Sequence, residues 1–598
     1  MKELKSLNKY LFRYKGRLLM GIVFIFLANW FQLYPAQFFR NAIDIVVESL
    51  KTHALLEGSL LQEEVYNDIT KALFLFGSGI IIIALIKGVF TFFMRYTIIM
   101  VSRFIEFDLK NDIYNQYQKL DTSFYKNNNT GDIMNRIGDD VSKVRMYLGP
   151  SIMYLINLLV LFCFVIYTMV SINAELSLYI LLPLPIMSIT IYYVSRLIGQ
   201  KSERVQKQLS RLFSYSQETF AGIRVIKAYN KTLKTLSDFN NEAADYKNEA
   251  MSLVKTEALF HPIILFLPVL STLITIYVGG LEVIKGNITY GNIGEFVIYI
   301  NLLTWPVASM GWVTSLIQRA VASQKRINEF LKQEPIITNP TEDIMDIKGA
   351  IKFKNVHFEY PESGIKALNN ISFSIEPGRT LAIVGKTGSG KSTIVQLLSR
   401  LYDVSKGEIL IDGQKINEIN LNSLRPQTGC APQEIFLFSD SIANNISFGT
   451  FGNESQSNIQ KVKWAAKQAG VASNIESFPK GYDTKVGERG ITLSGGQKQR
   501  ISIARALLKN PNILIFDDCL SAVDTETEEE ILSNLKTIMK DKTTIIVSHR
   551  ISSIRHADHI ILLENGEIIE EGTHKSLIAL GKHYFDLQQK QLVKKVVH

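Results

Sequence analysis

Long apolar runs dominate the first half of the chain and predict helices that cross a membrane. Six runs are long enough, at about 18–36, 72–99, 150–172, 176–194, 258–280 and 293–316. At about 1.5 Å of rise per residue, each run can cross roughly 30 Å of hydrocarbon as a helix. Residues 1–331 are therefore predicted to form an α-helical transmembrane domain of six spans.

The residues before the first run have a helical pattern of their own. Apolar side chains recur there at intervals of three or four residues, at Leu4, Leu7, Leu11, Tyr14 and Leu18. Lysines and an arginine fall mostly on the other face, which is typical of an amphipathic helix in the membrane interface. The following run ends without a small-residue cleavage pattern, so we interpret it as a first span that is retained.

Helical periodicity does not stop where the spans end. It continues through residues 103–118 and 200–220, which predicts helices that project well beyond the bilayer. Inside the second apolar run, Lys87, Thr91 and Arg95 recur every four residues and form one polar stripe. Charged groups at membrane depth are costly and usually face a bundle interior or an aqueous cavity. Two interpretations stay open: a cavity wall for an anionic or amphipathic substrate, or basic groups that pair with acids or reach toward the interface.

The second half changes to the alternating pattern of strands. Residues 332–349 contain prolines and several acids and are predicted to be a linker. The soluble domain is placed at 350–592, beginning with a near-alternating strand that Tyr360 closes. The segment Glu564-Asn565-Gly566-Glu567 predicts a hairpin turn. Residues 593–598 are predicted to be a frayed tail.

Charge and composition fix the orientation and exclude some functions. The 598-residue chain carries a net charge of +9, with 47% hydrophobic residues and a mean hydropathy of +0.11. Its lysines and arginines cluster beside the apolar runs, without a basic stripe interleaved with aromatics, so we expect no nucleic acid as a partner. The segment between the first two runs is acidic instead. We therefore predict a multi-pass protein of the cytoplasmic membrane with both termini in the cytoplasm.

The chain has three cysteines, Cys163, Cys430 and Cys519, far apart and without a C-x-x-C pair. This spacing predicts neither a zinc site nor a disulfide framework. We interpret all three as small buried residues.

One short segment of the second half carries phosphate chemistry. It is the octapeptide Gly385-Lys386-Thr387-Gly388-Ser389-Gly390-Lys391-Ser392, which fits G-x-x-x-x-G-K-[ST] and follows an apolar run. In such a loop, backbone N–H groups surround the phosphates, Lys391 reaches the β- and γ-phosphates, and the Ser392 hydroxyl binds Mg²⁺. The alternative is a glycine turn with a surface lysine.

Two later segments extend this chemistry. The first is Leu493-Ser494-Gly495-Gly496-Gln497, and the second is an apolar run at 513–516 that ends in Asp517 and Asp518. Together with the phosphate loop, they resemble the ATPase domains of ABC transporters, whose signature sequence is Leu-Ser-Gly-Gly-Gln. The resemblance implies an exporter half-transporter, in which the six-span ABC exporter fold is fused to an α/β P-loop ATPase domain that uses ATP and Mg²⁺.

The resemblance also implies a role for individual residues. Tyr360 would stack on adenine, and His549 would contact the γ-phosphate. Ser392, Gln433 and Asp517 would hold Mg²⁺, and the catalytic residues would be Asp518, His549 and Gln433. The nucleotide site implied in this way comprises Tyr360, Gly385, Lys386, Thr387, Gly388, Ser389, Gly390, Lys391, Ser392, Thr393, Ser494, Gly495, Gly496 and Gln497.

Further segments resemble the family's contacts between its domains. Residues 130–133, with Arg136 and Asp140 after them, and residues 218–225 resemble the coupling helices, although both could be ordinary turns on sequence alone. Glu488 would face these helices, and residues 521–524 resemble the family's D-loop.

The signature segment implies a second chain. Ser494, Gly495 and Gly496 precede a regular helical pattern, so their backbone N–H groups form an anion site at a helix N-terminus. In the family this site closes on the γ-phosphate that a second ATPase domain holds. The sequence contains one such domain, so the working unit is predicted to contain two half-transporters.

Asp518 departs from the family pattern. ABC ATPases usually have glutamate there as the general base, and the shorter aspartate draws the carboxylate back from the attacking water. We therefore expect slow hydrolysis at this chain's own site, which favours a heterodimer and leaves a homodimer possible.

These observations together predict ATP-driven export of an amphipathic drug, lipid or peptide across the cytoplasmic membrane by alternating access. The predicted partners are a second half-transporter, the lipid bilayer and a small amphipathic substrate. The alternatives are a membrane-anchored regulatory ATPase without transport, for which one span would suffice, and a slow homodimeric lipid flippase. An importer would normally keep its membrane subunit on a separate chain.

Overall fold

The chain folds as two compact units. A computed structural model describes residues 2–55, 61–450, 459–487, 490, 493–521 and 525–596. The first unit comprises Met1–Gln118 and Gly131–Gln333, and the second comprises Lys119–Thr130 and Glu334–His598. The short segment at 119–130 thus belongs to the second unit, although the first unit flanks it in sequence.

Helices account for the regular structure of the first 331 residues that the structure describes. A 3₁₀ turn at Lys2–Leu7 precedes them, and π-helical turns at Arg136–Asp140 and Tyr147–Ser151 interrupt them. The helices are α1 Asn8–Arg13, α2 Lys15–Leu55, α3 Leu61–Lys119, α4 Thr122–Asn127, α5 Thr130–Asn135, α6 Val141–Met146, α7 Ile152–Ile172, α8 Ala174–Leu181, α9 Pro183–Ala221, α10 Ile223–Ala228, α11 Thr232–Ile284 and α12 Tyr290–Leu331.

All six predicted spans fall in these helices. Five described stretches are long and apolar enough to cross a membrane: Lys15–His53, Val65–Lys119, Thr130–Ile172, Ala174–Ala221 and Tyr290–Leu331. The remaining run lies in α11, whose stretch Pro268–Ile284 is apolar but shorter, so the count of six spans stays a prediction. With 59 residues, α3 is about 90 Å long, so the predicted continuation of helices beyond the spans is confirmed.

A buried ion pair joins α2 to α12. The Glu295 side chain is completely buried and accepts hydrogen bonds from Arg40 at 3.2 Å and from Tyr299 at 2.8 Å. One helical turn away, Asp44 accepts from the backbone N–H of Gly291 at 2.7 Å. The end of α2 is thereby bonded to the beginning of α12 at two places.

The N-terminal residues are helical, and protein covers part of their apolar face. Leu4, Leu7 and Tyr10 are buried. The Tyr10 hydroxyl also donates to Asp112 on α3 at 2.5 Å. The position of this helix in the membrane interface stays a prediction, since periodicity identifies an apolar face and not what covers it.

The cysteines are less uniform than predicted. Cys519 is buried as expected, Cys430 is half-buried, and Cys163 is exposed on α7. The prediction is wrong for Cys163, because a membrane helix can place a small apolar residue on an outer face as readily as on an inner one.

The second unit is an α/β domain, as predicted. Its strands are β1 Ile351–Glu359, β2 Lys366–Ile375, β3 Thr380–Gly385, β4 Lys406–Ile411, β5 Gln414–Lys415, β6 Thr428–Ala431, β7 Ile513–Asp517, β8 Thr543–Val547, β9 His559–Glu564 and β10 Glu567–Gly572. Its helices beyond α4 are α13 Lys391–Leu398, α14 Leu421–Leu424, α15 Ile442–Ser447, α16 Ile459–Gln468, α17 Ala472–Glu476, α18 Gly495–Leu508, α19 Thr525–Met539, α20 Ile551–Ile554, α21 His574–Leu580 and α22 His583–Val596.

These strands form two sheets. The larger has the order β10-β9-β3-β8-β7-β6, and the smaller has the antiparallel order β2-β1-β4-β5. The near-alternating pattern of β1 is explained by a shift of register between Phe353 and Val356. The predicted hairpin turn joins β9 to β10, with positive φ angles of 48° at Asn565 and 79° at Gly566.

Neighbouring strands in the larger sheet bring the sequence motifs to one edge. The strands β3, β8, β7 and β6 are parallel and adjacent. The phosphate loop follows β3, Asp517 ends β7, His549 follows β8 and Gln433 follows β6. Since the carboxyl ends of parallel strands share one edge, a ligand site is expected there.

Part of one predicted coupling segment has a packing role inside the first unit. Asp140 is buried and accepts hydrogen bonds from Arg326 at 2.9 Å and from Ser323 at 2.8 Å, both on α12. The Arg136 guanidinium lies 5.3 Å from the ring centroid of Phe330 on the same helix.

We expect Arg326→Ala to destabilise the first unit, because it leaves the buried Asp140 carboxylate without its cation. Breaking such a pair typically costs about 3 kcal/mol. Thermal unfolding of the detergent-solubilised protein measures the loss. Lys325→Ala is the control, since its 3.8 Å pair with Glu329 is exposed and should contribute well under about 1 kcal/mol. Equal losses for the two variants would contradict the assignment.

Candidate functional site

The phosphate loop joins β3 to α13, and its backbone requires glycine. Gly388 and Gly390 have φ angles of 82° and 99°, in the region that other residues rarely adopt. A Cβ atom at Gly390 would also come within 2.5 Å of the Ala367 carbonyl oxygen. Because Gly390 immediately precedes α13, the N-terminus of that helix points its N–H groups at the loop.

The side chains of the two lysines in the loop make different contacts. The Lys391 ammonium donates to the carbonyl oxygens of Gly385 at 2.8 Å and Lys386 at 2.7 Å. Burial lowers the pKa of Lys391, and the charges of the nearby carboxylates oppose that shift. The Lys386 side chain pairs instead with Glu564 at 2.7 Å, so it contributes only its backbone to the loop.

Three oxygen groups converge beside the loop. The Ser392 hydroxyl lies 3.2 Å from the Asp517 carboxylate and 3.5 Å from the Gln433 amide oxygen. Burial raises the pKa of Asp517, while its hydrogen bond from Ser392 opposes the shift. A hydroxyl, a carboxylate and an amide oxygen form a donor set that suits Mg²⁺.

The described residues otherwise hold no cluster of three or more His, Cys, Asp or Glu that could bind a metal. The Ser389 hydroxyl is buried within the loop without a hydrogen-bond partner. A phosphate oxygen would satisfy that donor, so the residues present fit an ATP–Mg²⁺ complex.

Asp518 and His549 contact each other directly. Asp518 Oδ1 lies 2.8 Å from His549 Nδ1. Asp518 has a left-handed backbone with φ of 47°, and its N–H donates to the Val547 carbonyl oxygen at 2.9 Å. The end of β7 is thus bonded to β8, and the Asp518 carboxylate is directed to the imidazole.

Tyr360 follows β1 and is held at its hydroxyl by α13. The hydroxyl bonds to Thr393 at 3.0 Å and Gln396 at 3.1 Å. Its ring packs nearly perpendicular to Phe358 and Tyr402, at 82° and 89°. Burial is the main cause that raises the pKa of Tyr360. The ring is therefore fixed beside the helix that follows the phosphate loop.

A short helix that the sequence did not connect with this site lies against Tyr360. Helix α4 begins after Asp121, whose carboxylate caps it and also accepts from the N–H of Ile336 at 2.8 Å. Lys126 of α4 contacts the Tyr360 ring. The capping Asp121 followed by Thr-Ser is a helix-start signal, but nothing in the sequence indicates what the helix contacts.

The signature segment forms the beginning of α18. Ser494 caps this helix by accepting from the N–H of Gln497 at 3.3 Å, and its own N–H donates to the Gln497 side chain at 2.9 Å. Ser494 and Gly495 are exposed. Glu488 and residues 522–524 of the predicted D-loop lie outside the described residues.

In the first unit, the polar stripe leads to an aromatic cluster. The Arg95 guanidinium on α3 donates to the Tyr154 hydroxyl on α7 at 3.3 Å. The Tyr154 ring packs against Trp305 and Trp312 of α12, with centroids 5.6 and 5.7 Å away. Arg95 and both tryptophans are exposed, so one surface combines a cation with large aromatic rings.

Comparison with known proteins gives the family. The family described as ABC transporter transmembrane region matches residues 18–307, and the family described as ABC transporter matches residues 368–521. The multidrug resistance-like ATP-binding protein MdlA of Escherichia coli (strain K12) is 33% identical over 99% of this chain and 97% of its own length.

Other relatives match over most of the chain. The ATP-dependent lipid A-core flippase of Syntrophus aciditrophicus (strain SB) is 36% identical over 86% of this chain and 85% of its own. The structure of a bacterial Atm1-family ABC exporter with ATP bound superimposes with a TM-score of 0.77 and 26% identity, covering 96% of this chain and 98% of the other. The chain therefore belongs to the ABC transporters, as an exporter-type protein whose membrane domain and ATPase domain are fused and whose ATP hydrolysis is coupled to transport.

Proposed function

We propose that the protein exports an amphipathic drug, lipid or peptide across the cytoplasmic membrane by alternating access, as one half of a dimer. The observation that carries the proposal is the convergence of Lys391, Ser392 and Asp517 at one sheet edge, in a chain with long apolar helices. ATP bound between two ATPase domains favours their closed state, and hydrolysis releases it. Transport then follows from the different affinities of the two states for nucleotide.

Each group at the edge of the sheet has a distinct task in this proposal. Lys391 gives up its carbonyl partners for the β- and γ-phosphates, and Tyr360 stacks on the adenine ring. Ser392, Gln433 and Asp517 hold Mg²⁺ between them and the phosphates. When bound, Mg²⁺ neutralises charge on the phosphate oxygens.

Asp518 is the proposed base for the attacking water, and its short side chain makes it a slow one. Compared with glutamate, its carboxylate is drawn back by at least about 1 Å, and misplacement on that scale can cost on the order of a hundredfold in rate. The 2.8 Å contact with His549 supports this, because the carboxylate is already engaged by the imidazole. We therefore propose that this chain's own ATP site hydrolyses slowly.

A second chain completes the site in this proposal. In this proposal, the exposed Ser494 and Gly495 at the start of α18 receive the γ-phosphate held by another ATPase domain. Helix α10 and its flanks also present exposed apolar side chains, with Phe220 and Tyr229 each 74% exposed. Large exposed apolar groups indicate an interface, and the proposed partner is the second half-transporter. A partner with a glutamate base would make a heterodimer with one fast and one slow site.

The proposed substrate site is the surface formed by Lys87, Arg95, Tyr154, Trp305 and Trp312. The guanidinium provides a partner for an anionic group, and the rings offer apolar area with a polar handle. An amphipathic anion is the ligand that matches both. The relative named as a lipid A-core flippase makes a slow homodimeric lipid flippase the second candidate.

The proposed orientation places both termini in the cytoplasm. ATP is supplied there, which requires the second unit on that side. The basic N-terminal helix, with Lys9 and Arg13 paired to Asp112 and Asp108 of α3, belongs on the same side by the positive-inside bias.

We expect Lys391→Ala to abolish ATP hydrolysis and to weaken Mg-ATP binding at least tenfold, because it removes the cation that binds the β- and γ-phosphates. Nucleotide binding and phosphate release by the purified protein measure both effects. Lys386→Ala removes a charge from the same loop, but its side chain points to Glu564, so its loss should be much smaller. Unchanged Mg-ATP affinity in Lys391→Ala would refute the site.

We expect the chain expressed alone to hydrolyse ATP slowly and Asp518→Glu to raise that rate severalfold, because the longer side chain brings the carboxylate to the water. Phosphate release in nanodiscs measures the rate. Asp517→Glu lengthens the neighbouring carboxylate, which holds Mg²⁺ in our proposal, and should lower the rate. Rapid hydrolysis by the unmodified homodimer would defeat both the slow site and the preference for a heterodimer.

We expect neutralising Lys87 and Arg95 together to raise the concentration of an anionic amphiphile needed for half-maximal ATPase stimulation by about tenfold, since a charge-assisted hydrogen bond is lost. Basal ATPase should change little. Arg103→Gln is the control, because Arg103 lies on the same helix but pairs with Glu106.

The substitutions Lys87→Cys and Arg95→Cys, in a Cys163→Ser background, test whether water reaches the polar stripe on α3. They should react with polar thiol reagents in the nucleotide-free protein. Protection of both positions would place the stripe against lipid or protein and refute the substrate site.

A further inference from the structure

An ammonium group lies over the tyrosine that is proposed to take the base of ATP. Lys126 Nζ is 4.8 Å from the ring centroid of Tyr360 and 5.1 Å from that of Tyr402. These distances are within the range of cation–π attraction. The Lys126 side chain is otherwise exposed, so the two rings are the contacts that hold its end.

Helix α4 is fixed in a position that presents this lysine. Asp121 caps its first turn by accepting from the N–H groups of Ser123 at 3.1 Å and Phe124 at 3.3 Å. The second carboxylate oxygen of Asp121 accepts from the N–H of Ile336, and Phe124 is buried. All of these residues belong to the second unit, as does Tyr360.

The ammonium occupies a place on Tyr360 that an aromatic ring could use. Phe358 and Tyr402 meet the Tyr360 ring nearly at right angles, so neither stacks on it in parallel. The Tyr360 hydroxyl is bonded to Thr393 and Gln396, which prevents the ring from turning freely. A purine that stacks on this ring needs a face of it, and a cation on the same face excludes the purine.

We propose that Lys126 competes with the base of ATP for the Tyr360 ring, so that base binding releases the end of α4. The inference rests on the proposed role of Tyr360 and adds a residue that sets the affinity of the base site. Segment 119–130 follows α3 directly and precedes α5, so displacement of α4 acts on the chain where it joins the first unit. Occupancy of the base site would thereby be signalled separately from occupancy of the phosphate loop.

Equilibrium binding to the full chain in nanodiscs tests this inference. The probes are the β,γ-imido analogue of ATP with Mg²⁺, which carries the base, and inorganic tripolyphosphate with Mg²⁺, which does not. Lys126→Ala should tighten binding of the analogue about two- to fivefold, because one competing cation–π contact is lost. The affinity for tripolyphosphate should stay unchanged. Lys126→Arg keeps the cation and should not tighten binding.

Two control experiments distinguish the loss of a nearby positive charge from the loss of competition for the Tyr360 ring. Lys119→Ala removes the same charge from the same segment and should not tighten binding of the analogue. In a Tyr360→Ala background, Lys126→Ala should no longer have an effect, because the contested ring is gone.

The results that overturn the inference are distinct from those that overturn the proposed function. Unchanged or weaker binding of the analogue by Lys126→Ala refutes competition, and so does an equal shift for tripolyphosphate. If Tyr360→Ala leaves the affinity for the analogue unchanged, the assignment of the base to Tyr360 is wrong. If Tyr360→Ala weakens binding of the analogue while Lys126→Ala does not tighten it, only the proposed role of Lys126 is refuted.

Discussion

The hydrogen bonds that hold β3, β8, β7 and β6 side by side are the constraint on which the proposed ATP site depends. Parallel strands end at a common edge, so groups that are far apart in sequence come within a few ångströms of one another. Ser392 and Asp517 are separated by 125 residues and lie 3.2 Å apart for this reason. Without the parallel pairing of these strands, each motif would be an isolated polar segment after a buried strand.

A feature of the structure can be predicted from the sequence when the interactions that determine it lie within one short segment. The phosphate loop is contiguous and its backbone requires glycine at Gly388 and Gly390, so its conformation before a helix can be predicted from the sequence alone. The proposed role of His549 rests on resemblance, because a histidine after a strand has no specific meaning alone. The Lys126 contact and the cluster around Tyr154 could not be predicted, because each depends on helices that meet only in the folded protein.

The N-terminal helix and Cys163 show that the sequence identifies apolar residues without specifying what surrounds them. Periodicity correctly identified an apolar face with Leu4 and Leu7, but lipid and protein are equally suitable covers for apolar atoms. The free energy of burying that face is the same in order of magnitude in either case. Protein covers Leu4 and Leu7 in the structure, and Asp112 and Asp108 on α3 accept hydrogen bonds from Tyr10 and Tyr14, which is a tertiary property that periodicity does not encode.

The connection of Arg40 and Glu295 has a consequence for the path of the substrate. Pulling the end of α2 away from the beginning of α12 would leave a buried carboxylate without its cation, at a cost of several kcal/mol. The second bond, from Gly291 to Asp44, would be lost in the same movement. These two helices are therefore expected to move together at this end, and a conformational change that opens a path for the substrate between them has to break both contacts.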